Sequence, residues 1–180
     1  MMRFIDNSVA PIIAIDFDGT INVGGEDTYP KCGKLRMWAK EVMDFMHKLG
    51  IKTVIWTSRD VAYNQEEKKM YDHMSPMIEW LDENNVHYDA INKSIQFAPY
   101  HYNGRKVYAH MYVDDRAFGW RGADDGNDEM FLEVLEEFLH VVCGFSRYSA
   151  SVAVMYCRQG YEPDYWMIDS IKNWRSRNDK

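Results

Sequence analysis

Two carboxylates separated by one residue, Asp16 and Asp18, follow the apolar run Pro11-Ile12-Ile13-Ala14-Ile15 and precede Gly19-Thr20. In an extended segment, residues i and i+2 project to the same side, so both acids face one site. Gly19 lets the backbone leave the strand without a side-chain clash, and Thr20 can hydrogen-bond the turn. The bland account is a strand ending in an ordinary Asp-Gly turn. Thr57-Ser58-Arg59-Asp60 closes a second apolar run with two hydroxyls and a guanidinium, groups that suit phosphate oxygens. A capping Thr or Ser at a loop is the competing account. A third run ends in Ile91-Asn92-Lys93, where a lone surface lysine is most often simply solvated. A fourth ends in Asp114-Asp115-Arg116, and adjacent acids directly after apolar residues repel one another unless a cation is near.

The elements that must position these groups follow from periodicity. Residues 11–16, 51–57, 86–92 and 107–113 read as buried strands. Residues 34–49 carry Trp38, Val42, Phe45, Met46 and Leu49 on one helical stripe, and Gly50 stops that helix. A helical stretch in two pieces is expected between residues 58 and 85, the second starting near Pro76. Residues 128–143 form another amphipathic helix. The order β-α-β-α-β-loop-β-α implies an α/β fold: a three-layer α/β/α sandwich with a mostly parallel, doubly wound, Rossmann-like sheet. In such sheets chemistry gathers at the carboxyl ends of the strands, which is where all four clusters lie.

With Asp16-Phe17-Asp18-Gly19-Thr20, Thr57, Lys93 and Asp114-Asp115 in chain order at those ends, the sequence resembles the haloacid dehalogenase superfamily, in its phosphatase branch. The resemblance spans roughly residues 11–145. Trp56-Thr57-Ser58-Arg59 and Tyr112-Val113-Asp114-Asp115-Arg116 further resemble a small capless group within it. It implies a phosphoric monoester hydrolase in which Asp16 attacks phosphorus to form an aspartyl-phosphate. Asp18 would be acid and then base, Thr57 would hold phosphoryl oxygens and Lys93 would neutralise them. Mg²⁺ would bind a carboxylate oxygen of Asp16, the carbonyl of Asp18 and the side chain of Asp114; Mn²⁺ is the alternative ion. Asp115 is either a ligand or an orienter of Lys93. Gly19, Thr20, Ser58 and Arg59 would complete the phosphate cradle, with Arg116 beside it; for each arginine a solvated or structural role competes. The dehalogenase branch lacks the second aspartate, so Asp18 favours phosphoryl transfer. Lys106 is a rival for the lysine role, but it starts the strand that ends at Asp114, and eight residues put it ~26 Å away.

Composition bounds the function. The 180 residues are 46% hydrophobic and 27% charged, ordinary for a soluble globular protein. A formal charge of −7 opposes diffuse binding to nucleic acid or anionic membranes. The three cysteines, Cys32, Cys143 and Cys157, have neither disulfide-framework nor zinc-knuckle spacing. With no secretory leader pattern, a cytoplasmic location is expected. The six histidines show no metal-type spacing and receive no catalytic role.

Neither the interval from Thr20 to Thr57 nor that from Thr57 to Lys93 has room for a cap domain, so an open site is expected, acting on a nucleotide, a nucleic-acid end or a small metabolite. Asn22–Lys31, with two glycines, reads as a short lid or a plain surface loop. Phe97–Arg105 reads as a packed aromatic loop, with base stacking by Tyr100 and Tyr102 the less favoured account. The acids at 124–129 read as helix capping. The organisation expected is a core over 1–145 and a helical extension over 146–180 that packs on it or makes a homo-oligomer contact. A non-turnover module that sequesters a phosphorylated or nucleotide ligand is the competing function.

Overall fold

The computed structural model describes residues 10–24, 29–95, 107–115 and 128–174. The expectations for Lys106, Arg116, the loop Phe97–Arg105, the acids 124–127 and part of the Asn22–Lys31 loop lie outside the described residues.

Four parallel strands form the central sheet: β1 (Ile12–Asp16), β4 (Lys52–Trp56), β7 (Ala90–Ile91) and β8 (Met111–Val113), in the order β7-β4-β1-β8. The chain steps outward from β1 to β4 to β7, then returns across β1 to place β8 on its other side. That reversal makes a crevice at the carboxyl ends of β1 and β8, the usual ligand position in such sheets. This is the Rossmann-like α/β fold that the alternation predicts.

Ile12 to Ile15 are wholly buried, which explains their unbroken apolar run. Alternation splits them between two clusters. Ile13 and Ile15 join Ile55, Val113 and the buried faces of five helices: α1 (Ala39–Leu49), α2 (Ser75–Glu83), α3 (Met130–Glu137), α4 (Arg147–Arg158) and α5 (Tyr165–Lys172). Ile12 meets Val54 and Val107 on the opposite face, with Trp56 and Ala90 partly buried against them. Each such side chain contributes about 1.5–3 kcal/mol of transfer free energy.

Helix α1 starts later than its period predicts. Lys34–Leu35 form β3, antiparallel to β2 (Asn22–Val23), and Trp38 takes a left-handed φ of 64° just before the first helical turn. Gly50 ends the helix at φ 87°, donating its N–H to the carbonyl of His47.

The first helical piece expected after Thr57 is instead a hairpin, β5 (Val61–Asn64) with β6 (Lys69–Asp72). The Asn64 side chain accepts from the N–H groups of Glu66 and Glu67, and Lys68 adopts φ 53°. This local capping closes a turn where a helix would otherwise run. The second piece, α2, is present with Pro76 in its first turn.

Helix α3 runs into a π-helical turn at Phe138–Val142. The segment after residue 145 is integral to the main core: Ala150, Ala153, Cys157, Met167 and Ile171 are buried in it. Trp174 donates its indole N–H to the carbonyl of Val142 at 2.7 Å and meets the edge of His110.

Candidate active site

The end of β1 feeds a tight loop. The carbonyl of Phe17 accepts from the N–H groups of Ile21 (3.0 Å) and Asn22 (2.9 Å), and Gly19 donates to the carbonyl of Asn22 at 2.8 Å. Gly19 needs its φ of 82°, and a Cβ there would stand 2.3 Å from Oδ2 of Asp115. The close approach brings the β8 end onto the β1 loop, where the Asp115 N–H donates to the buried Thr20 hydroxyl at 3.1 Å.

These contacts assemble three acids. Asp16, Asp114 and Asp115 each offer a carboxylate oxygen within 4.8 Å of the other two. Burial, then the charges of Asp114, Asp115 and Asp18, push Asp16 up to about 7, against a lowering hydrogen bond from the Phe17 backbone. Half-buried like charges at this spacing favour a positive partner. The donors are hard carboxylate oxygens, so the set fits a divalent cation of the Mg²⁺ type. Asp115 stands here as a ligand candidate equal to Asp114, the first of the two roles the sequence left open. The Asp18 carboxylate is not one of the trio.

A cleft of about 350 Å³ opens over the acids, lined by Asp16, Asp18, Trp56, Thr57, Ser58, Asp114 and Asp115. Thr57 is buried and Ser58 exposed. The Thr57 backbone is held on both sides by one side chain: Asn92 accepts from its N–H at 2.9 Å and donates to its carbonyl at 2.8 Å. Asn92 adopts φ 47°, a left-handed conformation that Asn tolerates. Lys93 follows it, exposed to solvent and not among the cleft-lining residues. Among the described residues that line the cleft, none is cationic.

Arg59, for which phosphate binding and a structural role competed, is 1% exposed and held by groups of the protein. Its Nε and Nη2 donate to the two Asp18 oxygens at 2.8 and 2.7 Å, and Nη1 donates to the Pro30 carbonyl at 2.7 Å. The rings of Phe17 and Tyr29 lie 4.9 and 5.0 Å from the guanidinium carbon. Burial opposes the Arg59 charge, but its hydrogen bonds and attraction to Asp18 hold it above its ordinary range. Asp18 also accepts from Asn22 at 3.0 Å.

A second buried arginine, Arg36, was not singled out from the sequence. It donates to the carbonyls of Thr20 at 2.7 Å and Gly19 at 2.6 Å, fixing the loop from beneath. Nothing distinguishes Arg36 from a surface arginine at a helix start. Asn92 carries a weak signal, an Asn at the last position of an apolar run.

No family model and no curated protein matches this chain. Among solved structures, a conserved protein from Bacteroides thetaiotaomicron is 26% identical, with a TM-score of 0.48, over 62% of this chain and 80% of that one.

Proposed function

We propose that the chain is a magnesium-dependent phosphohydrolase of the haloacid dehalogenase type, small and capless, that cleaves phosphate monoesters through Asp16. The observation that carries this reading is the meeting of Asp16 with Asp114 and Asp115 at the floor of a cleft walled by Thr57 and Ser58.

A phosphate monoester dianion repels a carboxylate nucleophile. Mg²⁺ held by Asp16, Asp114 and Asp115 would offset that repulsion and polarise the phosphoryl oxygens. Asp16, at the end of the central strand, attacks phosphorus with one oxygen, and the P–O bond to the leaving group breaks. The Thr57 hydroxyl and the Ser58 hydroxyl orient phosphoryl oxygens, and Lys93, which does not line the cleft, would have to swing in from the end of β7 to supply positive charge. Water then attacks the aspartyl-phosphate, with Asp18 taking its proton, and phosphate leaves.

Arg59 refines the role of Asp18. The guanidinium fork holds both Asp18 oxygens in a fixed direction, a positioned acceptor that suits the base half of the cycle. Donating a proton to the leaving oxygen requires the Asp18–Arg59 pair to open first. The same grip favours the second reading, a module that holds a phosphorylated or nucleotide ligand without turnover. Ligand retained at one equivalent over hours, with no phosphate released, would select that reading.

The test is hydrolysis of an aryl phosphate with Mg²⁺. Asp16→Asn should lower the rate by at least about 10³-fold with the fold intact by circular dichroism. A chelator should abolish activity in the parent. Full activity in the variant, or indifference to chelator, would overturn the reading.

A further inference from the structure

His47, His87 and Asp89 come together at the opposite end of the sheet from the cleft. His47 is exposed in the last turn of α1, and His87 and Asp89 lie between α2 and β7. One ligand atom from each lies within 4.8 Å of the other two. The imidazole rings are 3.5 Å apart between centroids, tilted by 34°.

Asp89 is fixed to the amino end of β4. Its Oδ2 accepts from the Thr53 N–H at 2.9 Å, its Oδ1 accepts from Lys52 at 2.7 Å, and its own N–H donates to the Thr53 carbonyl at 2.8 Å. Thr53 is four residues before Thr57, or ~13 Å along the strand, so the cluster is separate from the acidic trio.

Two observations point to a ligand: donor atoms of three side chains converge, and a ring nitrogen of one of them is orphaned. Nε2 of His87 is shut off from solvent and has no hydrogen-bond partner, which is rare for a buried polar atom.

We propose that His47, His87 and Asp89 form a second metal site, taking a zinc-type divalent cation through two imidazole nitrogens and one carboxylate oxygen. That donor set suits zinc and its borderline neighbours, whereas Mg²⁺ prefers oxygen ligands. The ion would tie the last turn of α1 to the chain entering the edge strand β7. Lys52 already shares Asp89, and that competition weakens the site.

The test is a zinc titration of the full chain carrying Asp114→Asn, with and without His47→Gln. His47 is exposed, so its replacement leaves the fold standing, as a thermal melt will check. The expected result is one equivalent bound at micromolar zinc, at least tenfold weaker with His47→Gln and unaffected by millimolar Mg²⁺. In the unsubstituted chain His47→Gln should weaken one equivalent of bound zinc by the same factor. By ¹⁵N NMR, zinc should shift the ring nitrogens of His47 and His87 and leave His73, His110 and His140 in place. Equal affinity with and without His47→Gln, shifts at other histidines instead, or no uptake at 100 µM zinc would overturn the proposal. None of these readings depends on phosphatase activity.

Discussion

Arg59 grips Asp18 with two parallel hydrogen bonds, Nε to Oδ2 at 2.8 Å and Nη2 to Oδ1 at 2.7 Å, from a position 1% exposed to an acid 37% exposed. Such a fork fixes direction as well as charge. Arg59→Met keeps much of the packing against Phe17 and Tyr29 but removes the fork. Urea unfolding should show a loss of about 2 kcal/mol, since the pair is only partly buried. In the same variant Asp18 loses the fork that aims its two oxygens. The kcat for aryl phosphate hydrolysis should fall by at least about tenfold with KM little changed. An unchanged kcat would show that the Arg59 fork does not position Asp18 for proton transfer.

Gly19 is the point where the β1 loop and the β8 end touch. Gly19→Ala places a methyl 2.3 Å from Oδ2 of Asp115 and imposes a left-handed φ of 82° on a residue with a Cβ. The loop and Asp115 must part. We expect a stability loss of about 1–3 kcal/mol and a weaker response to Mg²⁺. Isothermal titration with Mg²⁺ and a thermal melt read both effects.

The raised Asp16 makes the chelated protein sensitive to alkali. A carboxyl pushed from 3.8 to about 7 by burial and neighbouring acids holds its proton in the folded state over that interval, while the unfolded chain has lost it. The stability this contributes is complete below pH 3.8 and is lost as pH rises through about 7. Chelated protein should therefore melt lower at pH 8 than at pH 6, and Asp16→Asn should remove most of that slope. Added Mg²⁺ should restore the parent at pH 8 and leave the variant little changed.

His110 works in the opposite sense, away from the acids. Its Nδ1 accepts from the Ile12 N–H at 3.0 Å, and its ring meets the edge of Trp174. Burial holds it below its ordinary range, against a raising contribution from the bond to Ile12. The folded state then resists protonation more than the unfolded one. Its contribution is full above pH 6.5 and is lost as pH falls through the lowered value. Urea midpoints at pH 8 and pH 5.5 should differ less in His110→Gln than in the parent. An equal difference in both would exclude His110 as a source of acid sensitivity.

Much of this was legible in the sequence where one short-range signal dominates. The run Ile12–Ile15 announced a doubly buried strand, and Asp16, Thr57 and Asp114 fell at the carboxyl ends of β1, β4 and β8 as the alternation required. What escaped depends on contacts between distant positions or on capping by single side chains. The β5–β6 hairpin is set by Asn64 and by Lys68 at positive φ, against a weak helical pattern. Arg59 reads the same whether it faces phosphate or is buried under Phe17 and Tyr29, and only the fold decides. His47 and His87 stand forty positions apart, so no spacing rule pairs them.

The central claim is that the Asp16 carboxylate itself takes the phosphoryl group. Borohydride reduces an acyl phosphate on aspartate to the alcohol, leaving homoserine, and spares a free carboxylate. The decisive measurement is peptide mass spectrometry of protein quenched with borohydride during turnover of an aryl phosphate with Mg²⁺. The account predicts homoserine at position 16, absent when substrate or metal is withheld. Steady release of phosphate with Asp16 recovered intact, or with the reduced residue at another position, would contradict it.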